Sequence, residues 1–365
     1  MKTLHIFNPE HDIALAANLA NFTAPHAGRQ LRADLGFLPA LWAKEGDMVL
    51  VDNAEYAEKA WRKMVQRVVH QLKPLGSCGE PIGFSGGTHW VPTGNPSVSQ
   101  GETDAIMPWG WDKALRATLK RCGVADALMP SDEQLEHIRQ LSHRRVAARL
   151  LAQLQTEGTV GEAFECREAA EVEALLARYG QVVMKAPWSS SGRGLRFLSL
   201  ERTPFQQQAG WFRNVVERQG SVLVEPYYNK VKDFGMEFSA DGKGRIRYEG
   251  LSLFHTVNGA YVGNILATER TKHEMLSRYV PAHWLDGIKQ NIQERLALGN
   301  YEGPFGIDMM IVAGNGGFLL HPCVEINLRR TMGHVALSLT PTDDDIVRVM
   351  RIELKDHYTL KINKL

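Results

Sequence analysis

Short apolar runs alternate with stretches of helical apolar spacing at the start of the chain, and this pattern predicts the first elements. Leu4 to Phe7 reads as a strand, Arg29 to Lys44 as an amphipathic helix, Met48 to Val51 as a second strand and Glu55 to Leu72 as a second helix. Such alternation implies a parallel sheet covered by helices, with ligands gathering in the loops at the carboxyl ends of the strands. The loop after the first strand is NPEHD, Asn8 to Asp12. Its two acids and histidine suit an amine or a polar headgroup, but turn chemistry favours a local role, with Asn8-Pro9 starting a turn and Asp12 capping the next helix. The Gly/Pro/Ser-rich tract from Gly76 to Gly101, which contains FSGGTHW (Phe84 to Trp90), is too long for a simple connector. His89 and Trp90, like Trp109 and Trp111, either line a pocket or anchor packing between domains. A helix begins near Asp112, and Ser131 with Gln134 forms a capping box for one helix from Asp132 to about Leu154.

After a domain boundary between Cys122 and Ser131 the pattern changes. A helix (Glu168 to Tyr179), a strand (Gln181 to Ala186), a Gly/Ser-rich turn, a strand (Leu195 to Leu200), a helix entered at Pro204 and a strand (Val222 to Glu225) follow in order. From Asp233 onward, strands separated by glycine turns at Asp241 to Gly244 and Asn258 to Gly259 predict an antiparallel sheet. A helix from about Trp284 to Leu298 precedes a hairpin within Gly303 to Arg330, and a further helix is expected from about Asp344 to Leu354. A two-residue turn at Gly316 and Gly317 pairs Asp308 with Glu325 and sets Asn327 one step along the same face. Directly opposed like charges are unfavourable, so something positive is expected between them. Two carboxylates and an amide are hard oxygen donors that suit Mg²⁺, although a solvated sheet edge also accommodates two acids. Pro322 in the second arm demands an edge strand or a bulge. Cys323 shares a face with Asp308 and Glu325 and reads as a wall, not a nucleophile, and His321 and His334 read as satisfied structural histidines.

Composition narrows the class. At about 150 residues per domain, 365 residues suggest two or three domains. Hydrophobic content of 44% and charged content of 23% are ordinary for a soluble protein, and a net charge of +1 argues against a nucleic-acid partner. No apolar run approaches the roughly 20 residues of a membrane span, and the amino-terminal residues do not form a signal peptide. Cys78, Cys122, Cys166 and Cys323 are scattered, with neither a CxxC pair nor a disulfide framework, which makes a cytoplasmic setting the default. Zinc-type HEXXH spacing is absent.

Lys185 ends the apolar strand QVVMKA and is followed by PWSSSGRG, Pro187 to Gly194. Ser189, Ser190, Ser191, Gly192 and Gly194 are small enough for backbone N–H groups to converge on an anion. The run is neither a Walker A sequence nor a dinucleotide fingerprint, and read alone it is a polar hairpin loop beside a solvated lysine. In order with Glu225 and the Asp308, Glu325 and Asn327 set, it resembles the ATP-grasp superfamily of ATP-dependent ligases from roughly Ser131 onward.

The resemblance implies an α/β and α+β fold, with a Rossmann-like α/β domain at 1–127 before a two-lobed ATP grasp at 128–228 and 229–365. By position, Lys185 looks like the lysine that reaches the nucleotide phosphates, and Ser189 to Gly194 like the loop that covers them. Within that loop Arg193 either clamps a phosphate or lies in solvent. Glu225 and Tyr227 fall where the family presents groups to adenine and ribose, and Glu237 in GMEFS falls near the cleft. Asp308, Glu325 and Asn327 are implied to hold Mg²⁺ or Mn²⁺, and Arg329 to face phosphate, with Arg330 pointing away. A second family lysine is missing; HRR stands there, so Arg144 or Arg145 takes its place, with a planar fork instead of a point charge. The implied activity is ATP- and Mg²⁺-dependent activation of a small-molecule or peptide carboxylate as an acylphosphate, for capture by an amine or thiol. Lys185 and Arg329 serve as its catalytic charges. The alternatives are a kinase of the same fold and a non-catalytic nucleotide-binding regulator.

Overall fold

The computed structural model describes residues 2–72, 89–92, 103–189, 194–257 and 260–365. Cys78, the Phe84 to Thr88 stretch, Ser190, Ser191, Gly192, Arg193 and the Asn258 to Gly259 turn lie outside these residues. Strands β1 (Thr3–Ile6), β2 (Met48–Val51), β3 (His89–Pro92) and β4 (Ala105–Pro108) form a wholly parallel sheet in the order β3-β2-β1-β4. Helices α1 (His11–Ala17), α2 (His26–Leu35) and α3 (Ala54–Leu72) supply the crossovers that parallel neighbours require. The helix expected over Arg29 to Lys44 stops at Leu35, and Pro39 sits in a separate 3₁₀ turn, Leu38–Leu41. Trp109 packs edge-on to Phe7 at 4.9 Å and Trp90 to Trp61 at 6.3 Å, so both aromatics serve as packing anchors.

Asp112 caps α4 (Lys113–Arg121), and the Ser131/Gln134 capping box opens α5 (Asp132–Leu141) as its spacing predicts. The single helix expected as far as Leu154 is in fact two. Ser142 donates its hydroxyl to the Ile138 carbonyl at 2.8 Å, and His143 accepts the Arg145 N–H at 3.0 Å, so a new helix, α6 (Arg144–Gln153), starts on a histidine cap. Apolar periodicity runs through the break because both helices bury a stripe in the same core.

An antiparallel sheet follows, in the order β5 (Phe164–Cys166), β8 (Val222–Pro226), β6 (Gln181–Lys185) and β7 (Leu195–Ser199). Helices α7 (Ala169–Tyr179) and α8 (Ala209–Gln219) cover one face and bury Val182, Met184, Val222 and Val224. Strand alternation sends Lys185 and Glu225 to the opposite face.

The third sheet is antiparallel and has seven strands. β9 (Lys230–Asp241), β10 (Ile246–Val257), β11 (Ala260–Leu266), β12 (Glu302–Gly314), β13 (Gly317–Asn327), β14 (Arg348–Leu354) and β15 (Tyr358–Lys364) are ordered β13-β12-β9-β10-β11-β14-β15. Helices α9 (Glu269–Ser277) and α10 (Ala282–Arg295) pack on it with α5 and α6, and α11 (Met332–Ser338) follows the β12–β13 hairpin. The helix expected over Asp344 to Leu354 is instead the strand β14. Ile346, Val349 and Met350 have helical spacing, but Met350, Ile352 and Leu354 alternate, and YTLKINK offers a pairing partner that settles the contest. β14 and β15 share one apolar core with the parallel-sheet unit, in which Phe7, Leu35, Val49 and Val68 cluster with Met350 and Leu360. Among the described residues, no helix is long and apolar enough to cross a membrane.

Candidate active site

Asp308 pairs with Glu325 as the sequence predicts, by a different route. The turn is Asn315-Gly316, with Gly314 opposite Gly317, one residue earlier than expected on each side. A bulge in β13 between His321 and Glu325, where Pro322 lies, then absorbs two residues and restores the pair. Pro322 therefore has both the edge strand and the bulge that it requires. Asn327 donates its amide to Asp308 at 3.1 Å. Burial, then the charges of Glu325 and Glu237, push the Asp308 carboxyl up to about 8.

Arg144 links this pair to the Ser/Gly loop. Its guanidinium donates to Glu325 at 2.8 Å, to the Ala186 carbonyl at 3.0 Å and to the Ser189 hydroxyl at 3.3 Å. The helix break creates this contact by placing Arg144 in the first turn of α6. Of the two arginines, Arg145 instead pairs with Glu165 at 2.8 Å. The loop closes where Ala186 N–H meets the Gly194 carbonyl at 2.8 Å, and a Cβ on Gly194 would lie 2.3 Å from the Ser189 side chain, so only glycine fits. Trp188 fixes the near end of the loop. Its indole donates to the Arg139 carbonyl at 2.9 Å, and the Arg139 guanidinium lies 3.6 Å above its ring.

Lys185 and Glu225 form a buried ion pair at 2.5 Å. Glu225 is thus engaged by the lysine, while Tyr227 is half exposed and meets Phe197 edge-on at 6.1 Å. Phe197 and Glu225 flank Val183 on opposite sides, which puts an exposed aromatic pair on the same sheet face as Lys185. Behind the lysine, burial raises the Cys323 thiol and lowers His321 to about 3, so neither is a charged group at neutral pH. His334 is satisfied by Thr331 and the Phe238 carbonyl. His321 is not as expected: it packs edge-on to Tyr228 at 5.4 Å, but neither ring nitrogen has a partner among the described residues.

Glu237, expected near the nucleotide, is 2% exposed and turned toward α11, where the Thr331 hydroxyl donates to it at 2.8 Å and His334 lies at 3.0 Å. These contacts tie it to α11, and its charge bears on Asp308. Arg329 donates two hydrogen bonds to Asp12, at 2.8 and 2.6 Å, and a third to Asn327 at 2.9 Å. Asp12 therefore caps no helix, and the local reading of NPEHD fails at this residue. Arg330 turns away, its guanidinium 4.2 Å over Trp42. A cleft lies between Asp12 and Leu15 on one side, Trp188 and Ser189 on another, and Glu325 and Asn327.

Among the described residues, no group of three or more His, Cys, Asp or Glu side chains is arranged to hold a metal. The donor set is two carboxylates and an amide, with the Asp308 and Glu325 carboxyls opposed across the β12–β13 pair. That chemistry fits an ion that takes its remaining ligands from phosphate and water. Sequence reasoning passed over Trp188, Phe197 and the Asp12–Arg329 pair. A tryptophan directly before the serine run was the available signal for the first. An apolar residue at an outward position of LRFLS was the signal for the second.

No family model matches the sequence, and no curated protein matches it significantly. Solved structures do. Biotin carboxylase from Campylobacter jejuni, as a complex with β-γ-ATP, is 14% identical over 96% of this chain and 75% of its own, with a TM-score of 0.50. Rhizobium etli pyruvate carboxylase is 16% identical over 96% of this chain and 31% of its own, also at 0.50. N5-carboxyaminoimidazole synthetase from Staphylococcus aureus, complexed with ADP, is 13% identical over 97% and 82%, at 0.49. At these identities the likeness to the two carboxylases speaks for the fold.

Proposed function

We infer, from a chain that carries the ATP-grasp fold, that the protein is an ATP- and Mg²⁺-dependent ligase. In this reading a carboxylate is activated as an acylphosphate and then captured by an amine. The observation that carries it is the run of contacts that ties Arg144 and Arg329 to the opposed Asp308 and Glu325, beside a cleft lined by Glu325 and Asn327. We divide the chain accordingly into a Rossmann-like unit at 1–127 and grasp lobes at 128–228 and 229–365.

Phosphoryl transfer asks a protein mainly to position and to neutralise. Lys185 and Arg144 bring positive charge from the loop side, and Arg329 brings it from the end of β13. Each cation is held by a carboxylate: Glu225, Glu325 and Asp12 respectively. A bound nucleotide exchanges or shares these partners. Asp308, Glu325 and Asn327 would hold Mg²⁺, which supplies Lewis-acid neutralisation of the phosphate oxygens. The Ser189 hydroxyl, at the near end of the loop that Gly194 closes, offers a further donor to the phosphates. The exposed Phe197 and Tyr227 rings offer apolar surface for the base. A substrate carboxylate is already ionised at neutral pH, so the first step needs no general base. The biotin carboxylase it resembles is described as a complex with β-γ-ATP, which supports ATP as the cosubstrate. The deciding experiment is an ADP-release screen with Mg²⁺·ATP against carboxylates combined with amines, amino acids and peptides. Release that requires both a carboxylate and an amine supports the ligase. A stable phosphorylated product formed without an amine points to a kinase, and binding without turnover to a regulator.

A further inference from the structure

We propose that Asp12, supplied by the parallel-sheet unit, is a positioning residue for Arg329, so that this unit completes the phosphate end of the cleft. The proposal rests on the nucleotide reading above. Asp12 and Arg329 are 317 positions apart in sequence and meet in a two-pronged pair at 2.8 and 2.6 Å. Both side chains are less than a fifth exposed. A carboxylate that fills two parallel N–H donors fixes the plane of a guanidinium as well as its place. The third donor bond of Arg329 goes to Asn327, whose amide in turn donates to Asp308. One continuous chain of polar contacts therefore runs from α1 to the carboxylate pair.

The segment that carries Asp12 is itself held in place. Asn8 donates to the Gly110 carbonyl at 2.8 Å, Glu10 accepts from Arg32 at 2.6 Å, and His11 lies 3.4 Å from Asp112. Gly110 packs so closely that a Cβ there would come within 2.7 Å of the His11 ring. On the other side, Arg330 N–H donates to the Trp109 carbonyl at 2.7 Å, which seats the 329–330 segment on the loop after β4. Although burial opposes it, the Arg329 charge holds Asp12 below the usual carboxylate range. Asp12 also lines the cleft, together with Glu325 and Asn327. A pin that served only to join two units would need neither the cleft wall nor a guanidinium shared with Asn327.

The test compares binding of β,γ-imido-ATP and ADP, each with Mg²⁺, by titration calorimetry. The wild type is expected to prefer the imido nucleotide, because an oriented Arg329 meets the γ-phosphate. Asp12→Asn is expected to reduce that preference about tenfold, the scale of one charge-assisted hydrogen bond, while ADP affinity stays within about twofold. Asp12→Glu should recover part of the preference, and it carries the same comparison if Asp12→Asn does not fold. In an Arg329→Gln background, Asp12→Asn should change nothing further. The proposal is overturned if Asp12→Asn keeps the wild-type preference, even with a lowered melting temperature, or if the two substitutions act multiplicatively. Equal wild-type affinity for both nucleotides overturns it through Arg329 alone. A wild type that binds neither overturns the nucleotide reading itself.

Discussion

Removing Lys185 tests a buried charge pair of the proposed nucleotide site. Lys185 and Glu225 are 8% and 9% exposed at their side chains and 2.5 Å apart. At an effective dielectric of about 20, their attraction is about 7 kcal/mol before desolvation. Desolvation of two ions, several kcal/mol each, offsets most of that, so the intact pair adds little net stability. Lys185→Met deletes the attraction and leaves Glu225 buried without its partner, which destabilises by about 3–5 kcal/mol. Against a typical stability of about 5–15 kcal/mol this is a large loss, visible as a lower urea midpoint at unchanged slope. The double variant Lys185→Met/Glu225→Leu removes both charges and should recover most of the stability, yet bind Mg²⁺·ATP no better than the single variant. A Lys185→Met protein with the wild-type urea midpoint would refute the burial argument. Unchanged nucleotide affinity in the double variant would remove the pair from the site.

Four further outcomes follow from the same geometry. Asp308 has a folded value of about 8 against 3.8 unfolded, so the stability tied to its proton is complete below about pH 4 and lost as pH rises through 8; thermal melts of wild type and Asp308→Asn should diverge in favour of the variant between pH 5 and 8, with no divergence as the refuting result. Mg²⁺ should displace that proton, so proton release on Mg²⁺ titration near pH 7 should vanish in Asp308→Asn. Gly194→Ala forces a Cβ against Ser189 and should open the base of the loop, weakening Mg²⁺·ATP binding by roughly tenfold with a smaller change in melting temperature, since the overpacking penalty of about 1–3 kcal/mol is absorbed at a loop. Arg144→Ala should weaken both nucleotide and Mg²⁺ binding, because it frees Glu325 and Ser189 together, and calorimetry that finds Mg²⁺ affinity unchanged would separate Arg144 from the carboxylate pair.

Much of this site was legible because its charges sit on strands, where a period of two leaves little freedom. Lys185, Glu225 and Asp308 opposite Glu325 all follow from alternation and pairing. The hairpin is instructive because two misreadings cancelled: the turn lies one residue earlier, and a bulge at Pro322, whose necessity was visible, returns the register. Local pattern failed where long-range contacts chose between near-equal options. β14 became a strand because β11 and β15 flank it, and α5 ended at Leu141 because Ser142 and His143 satisfy backbone groups on the spot. Asp12 was misread for a similar reason. A helix cap is a local explanation, and no local rule sees an arginine 317 residues away. Glu237 erred in the opposite direction, since a matching motif said nothing of Thr331 and His334, which seal it.

The core shared by the parallel-sheet unit and the β14–β15 hairpin bears on how the chain acquires its fold. Phe7, Leu35, Val49 and Val68 find their apolar neighbours Met350 and Leu360 only after some three hundred intervening residues have been made. Asp34 likewise waits for His357 at 2.7 Å and the Tyr358 N–H at 2.8 Å. During synthesis at about 5–20 residues per second, that surface stays open for tens of seconds. The early segment therefore keeps apolar surface uncovered until the last two strands have been made.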